Sequence, residues 1–93
     1  MRMAMMAVRL KIDEEDVVQA LQEAGEKLDS TEDEVVLDFS SVLRIDARGL
    51  KAIEEFADAA DDKDVKIALR GVNVGVYKVL KLVKLASRFS FVN

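Results

Sequence analysis

The chain has 93 residues, 51% of them hydrophobic and 34% charged, with a formal net charge of −4; this is apolar material for one core and not for two. It holds no cysteine, histidine or proline, which removes disulfide staples, thiol nucleophiles, zinc-type sites and imidazole acid–base catalysis. No stretch approaches the roughly 20 apolar residues of a membrane span, so the sequence predicts one soluble domain over 1–93 with no membrane insertion.

The opening residues break their apolar run at Arg2 and Arg9, too soon for a secretory leader, and the cytoplasm is the expected location. Residues 6–12 alternate, with Val8, Leu10 and Ile12 facing one way and Arg9 and Lys11 the other, the period of a half-buried strand. The acidic run Asp13, Glu14, Glu15, Asp16 suits a helix N-terminus through the macrodipole. Val17, Leu21, Ala24 and Leu28 then form one helical stripe, interrupted by Gly25 at modest cost. Residues 30–34 form a polar turn.

The next stretch carries the most information. Val35, Leu37 and Phe39 face one way and Val36 the other, an interior strand that runs into a loop and then a helix that Asp46 can cap. A strand emptying onto a helix N-terminus presents a surface, because the first-turn amides lack intrahelical partners. Gly49, in that first turn, costs roughly 0.5–1 kcal/mol relative to alanine, which points to another backbone approaching closely. A plain strand-to-helix connection with a tolerated glycine accounts for the same residues.

That helix is predicted over 47–60, with Leu50, Ile53, Phe56, Ala57 and Ala60 inward and Lys51, Glu54, Glu55 and Asp58 outward. Residues 61–64 read as a solvated charged turn, since a calcium loop needs a glycine bend and a terminal bidentate glutamate. Val65, Ile67 and Leu69 alternate with Lys66, Ala68 and Arg70 in a second half-buried strand. Asn73 can cap a last helix with the stripe Val76, Val79, Leu80, Val83 and Ser87, widened by Leu82 and Leu85, and residues 89–92 close the chain as a short strand. Cations on one side of two strands imply helices mainly on one face of the sheet and a partly wet opposite face. The expected architecture is a small α/β layer with a mixed or mainly parallel sheet and right-handed crossovers.

Charge is uneven: residues 66–93 hold six cations and no acid, and the rest hold eight cations and all eighteen acids. Lys78, Lys81 and Lys84 recur along one helix edge, which suits pairing with the chain's own acidic helix, an acidic partner or a small anion. The acidic balance and the lack of interleaved aromatics disfavour nucleic acid. The carboxylates lie on exposed faces and no catalytic residue is predicted. Asp38, which ends a strand near Asp46, could share a proton or hold a cation, or more simply accept hydrogen bonds from amides around Ser40 and Ser41. Residues 71–75 lack the lysine and hydroxyl of a nucleotide cradle, so no cofactor and no metal are expected.

The strand ending at Asp38, the short loop and the helix opening Asp46-Ala47-Arg48-Gly49-Leu50 resemble the core motif of STAS domains, a family that includes bacterial anti-sigma factor antagonists and the cytoplasmic tails of sulfate transporters. The similarity continues through residues 65–71 and 76–85, about two thirds of the chain. The resemblance implies a STAS-like fold and a non-enzymatic protein-interaction module. The partner implied is an anti-sigma factor or related regulator; the alternative is a structural accessory subunit of a transporter or signalling complex, for example one docking on a transporter ATPase, and a weaker one is a binder of nucleotides or small anions. The contact residues it implies are Ser40, Ser41, Arg44, Asp46, Ala47, Arg48, Gly49 and Lys51. Switchable members are phosphorylated on the first serine of Asp-Ser-Ser-Gly. Ala47 stands there, Arg48 replaces the second serine, and 71–77 lacks the serine or threonine used by some members, so no phosphorylation switch is expected.

Overall fold

The alternating first segment forms strand β1 (Ala7–Lys11), and the later apolar runs form β2 (Glu34–Asp38), β3 (Lys66–Arg70) and the short β4 (Ser90–Val92). The computed structural model describes residues 7–30 and 33–92. Met6, the predicted start of the first strand, and Thr31 and Glu32 of the polar turn lie outside the described residues. Helices α1 (Val17–Glu26), α2 (Ala47–Asp62) and α3 (Val74–Leu82) fill the three connections.

All three strand pairs are parallel, and the order across the sheet is β1-β2-β3-β4. Because each crossover steps in the same direction, right-handed connections pass over the same face every time. Leu21 and Ala24 of α1, Ile53, Phe56, Ala57 and Ala60 of α2 and Val76 and Leu80 of α3 accordingly join Val35, Leu37, Ile67 and Leu69 of the sheet in one buried cluster. On the opposite face Arg9, Lys11, Lys66 and Arg70 are exposed, as the alternation predicts. Ala68 departs from that pattern: it is buried. Its register partners Val36 and Ser90 flank it on both sides, and a methyl between two larger neighbours is shaded without any helix above it.

The helix ends differ from expectation in instructive ways. The acidic run supplies two caps in tandem: Asp13 accepts from the Glu15 amide at 3.0 Å and starts a 3-10 turn, Glu14–Asp16, and Asp16 then accepts from the Gln19 amide at 3.4 Å at the head of α1. Helix α2 runs to Asp62, past the predicted Ala60. At its end the Val65 amide donates to the Ala60 carbonyl at 2.9 Å and the Asp64 amide to Asp61 at 3.1 Å, with Asp64 left-handed at φ 60°. The end of α3 repeats this, with Leu85 bonding back to Leu80 at 2.8 Å, Lys84 to Lys81 at 3.1 Å and Lys84 at φ 66°. Both are Schellman motifs, and the apolar residue after each left-handed one, Val65 or Leu85, is buried. The turn therefore carries Leu85 into the core while Leu82 (81% exposed) and Val83 (44%) leave the stripe predicted for them. Ser87 is exposed as well.

Candidate functional site

In a parallel sheet the strand exits lie at one edge, so the ends of β1, β2 and β3 and the starts of all three helices gather at one mouth, the usual place for a site in such folds. The centre of this mouth is the loop of residues 39–46 between β2 and α2. Phe39 and Val42 are buried beneath it and anchor it by apolar contact.

Polar ties hold the loop from both sides. Toward β1 and α1, the Ser41 hydroxyl donates to the Ile12 carbonyl at 3.2 Å, and the Leu43 amide donates to Glu14 Oε2 at 3.2 Å. Toward β3 and α3, the Phe39 amide donates to the Arg70 carbonyl at 2.8 Å, and Asn73 Nδ2 donates to the carbonyls of Val42 (3.4 Å) and Leu43 (3.0 Å). Asn73 also caps α3, its Oδ1 accepting from the Val76 amide at 2.7 Å. Gly71 completes the support: it is left-handed at φ 72°, and a Cβ there would lie 2.9 Å from Ser40 Cβ and 3.1 Å from Ser40 Cα. Only glycine lets the β3 exit pass this close beneath the loop.

Asp38 fixes the start of the loop. Its Oδ1 accepts from the Ser40 amide at 2.9 Å. Hydrogen bonds from the Ser40 side chain and backbone hold its carboxyl below the ordinary range against partial burial, and its register neighbours Arg70 and Lys11 add to this. A carboxylate held ionised in this way is a structural acceptor and does not suit proton sharing with Asp46.

Asp46 begins α2, with Oδ1 accepting from the Gly49 amide at 2.8 Å. Helix geometry leaves the amides of Ala47 and Arg48 without intrahelical acceptors. Ser40, Arg44, Asp46, Ala47, Arg48 and Lys51 are exposed around this helix start. Ser41 is half-buried and turned to its tie with Ile12. Gly49, expected to be presented to a visitor, is instead buried. A Cβ there would lie 2.8 Å from Ile45 Cγ1, so the close approach that excludes a side chain is made by the chain's own Ile45 and not by another backbone.

An open cleft of about 500 Å³ separates the starts of α1 and α2. Glu14, Glu15 and Asp16 supply acid on its α1 side, and Arg44 and Arg48 supply positive charge on the other. Sequence reasoning missed Leu43, an apolar side chain 61% exposed at the crest of the loop. It also missed the second role of Asn73, the support from Gly71 and the part played by Glu14. Leu43 left a faint signal, an apolar residue directly beside the buried Val42 in the loop; the other three act between segments distant in the chain and left none.

Residues 4–92 match the family described as "Mlab, STAS domain". Among solved structures the chain is similar to the crystal structure of a Thermotoga maritima protein, TM1081, provisionally described as an anti-sigma factor antagonist, with a TM-score of 0.71, 22% identity and coverage of 94% of this chain and 73% of that one. The NMR structure of TM1081 gives a TM-score of 0.75 at 21% identity, covering 94% and 74%. These likenesses show a shared fold. No curated protein sequence matches the chain. Among the described residues no helix is long and apolar enough to cross a membrane.

Proposed function

The chain belongs to the STAS domain family, and we propose on that footing that it is a non-enzymatic module that binds a regulatory protein through the loop and helix start at residues 40–51. The observation that carries this reading is the construction of the mouth. Leu43, Arg44, Arg48 and Lys51 are exposed on a segment held from both flanks by Ser41, Asn73 and Phe39. A surface ordered before its partner arrives loses little conformational freedom on binding. An apolar crest beside three cations suits a partner surface with an apolar hollow and acidic rim.

The similarity to TM1081, provisionally described as an anti-sigma factor antagonist, supports an anti-sigma factor as the partner class. Phosphorylation at a helix start would add roughly −1.5 to −2 charges, but Ala47 offers no hydroxyl to accept the group, and the module stays binding-competent. A contact with no toggle equally suits a standing subunit of a transporter complex, where the same surface would meet an ATPase. In both readings the carboxylates serve as caps and loop ties, with no catalytic role.

Affinity capture from native cells tests the proposal, with the parent chain and Arg48→Glu as baits and mass spectrometry to identify what each retains. The parent should retain an anti-sigma factor or a transporter ATPase, and the variant should retain much less of it while melting like the parent. Equal recovery by both baits would remove Arg48 from the interface and the proposal with it.

A further inference from the structure

On the side of the molecule away from that mouth's acidic wall, we propose a second docking site, the groove between α3 and β4, which takes an extended segment of another protein as a fifth strand. Strand β4 is a sheet edge: among the described strands it pairs only with β3. Its three residues, Ser90, Phe91 and Val92, are exposed and uncharged, so it lacks the charged guards that normally blunt an edge. Its free backbone groups can therefore continue the ladder.

The helix-facing side of this edge is shaped and polarised. Tyr77 of α3 meets Phe91 edge to face, with ring centroids 5.0 Å apart and planes at 81°, and this pair divides the groove into two hollows. One, about 200 Å³, is formed with Val72, Val74 and Val92. The other, about 500 Å³, is bordered by Lys81 and Lys84. Neither lysine makes an ion pair with the described residues, whereas Arg88 of the same basic segment is held by Asp58 at 2.9 Å and Asp61 at 2.6 Å of α2. Alternate residues of a strand face the same way and lie roughly 7 Å apart, so one segment can offer a side chain to each side of the Tyr77–Phe91 pair. The occupant thus carries an apolar side chain and, two positions along, a carboxylate. Charge complementarity selects it: residues 66–93 contain no acid, and pairing this edge with its own copy would bring lysines together. A flat lipid surface would leave both hollows unfilled.

The test is a titration of the isotope-labelled full chain with a capped peptide reading glutamate-threonine-valine-threonine-glutamate, which presents the pattern in either strand direction. Amide resonances of Ser90, Phe91 and Val92 and those of Tyr77, Lys81 and Lys84 should shift, and amide exchange in β4 should slow. Replacing the glutamates by lysine should abolish the effect, and the double variant Lys81→Glu, Lys84→Glu should weaken binding roughly threefold to tenfold while keeping the parent's circular dichroism. Arg48→Glu should bind the peptide as the parent does, so this site and the mouth stand or fall separately. Shifts confined to residues 43–51, silence at β4, or equal binding of the lysine peptide would overturn the proposal. So would β4 shifts that follow protein concentration without peptide, which indicate self-pairing, or that appear only with phosphatidylglycerol vesicles, which indicate a lipid surface.

Discussion

Replacing Gly71 by alanine should damage both the fold and the proposed partner surface, although residue 71 belongs to neither the loop nor α2. Two costs add. At φ 72° a side chain enters the left-handed region, which costs roughly 1–2 kcal/mol. The new Cβ would also sit 2.9 Å from Ser40 Cβ, 3.1 Å from Ser40 Cα and 3.3 Å from Ser40 N. The last two are backbone atoms and cannot rotate away, so relief requires the loop to move, an overpacking cost of about 1–3 kcal/mol. Reduced freedom of the unfolded chain offsets about 0.4–1 kcal/mol. The ranges combine to a net loss of about 1–4.5 kcal/mol centred near 3, which at the centre is a fall in melting temperature of roughly 12–24 °C for a domain of this size, read by urea unfolding and thermal circular dichroism. Adding Ser40→Gly should restore only part of the loss, because it removes one of three contacts and leaves the backbone strain. The shifted loop should also weaken partner capture. Stability of Gly71→Ala within about 0.5 kcal/mol of the parent would refute the claim that this glycine supports the mouth.

Asn73→Ala removes the α3 cap and two bonds to loop carbonyls; urea midpoints should show a loss of about 2 kcal/mol, against about 1 kcal/mol for Asp46→Ala, which loses a cap alone. Gly25→Ala should stabilise by about 0.5–1 kcal/mol through helix propensity, because a Cβ there meets only Phe56 Cδ1 at an ordinary 4.0 Å, and a lower midpoint would mean that the α1–α2 contact is tighter than it looks. The carboxyl of Asp38 is held below its ordinary value of 3.8. Its contribution is therefore fully present above that value and lost as pH falls through the lower folded value. Stability measured from about pH 5 down to about pH 2 should consequently fall less steeply in Asp38→Asn than in the parent.

The elements were largely legible along the chain because each rests on local physics. Alternation at Val8, Leu10 and Ile12 and again at Val65, Ile67 and Leu69 marks half-buried strands, the stripe from Val17 to Leu28 marks α1, and Asp46 and Asn73 are caps a few residues from the amides they accept. Where local rules were silent the boundaries moved: α2 and α3 close on Asp64 and Lys84, left-handed positions where a glycine would have announced the turn, so Leu82 was assigned inward and is exposed. Tertiary structure alone decided the rest. The order β1-β2-β3-β4 with every pair parallel settled a sheet that alternation left as mixed or mainly parallel, burial of Gly49 against Ile45 reassigned a residue expected to meet a partner, and contacts across some thirty positions, from Asn73 to the Leu43 carbonyl and from Ser41 to Ile12, made a loop into a fixed surface. Period and capping act within a helical turn or a few strand residues, whereas adjacency between distant segments exists only once the parallel sheet has brought their ends together.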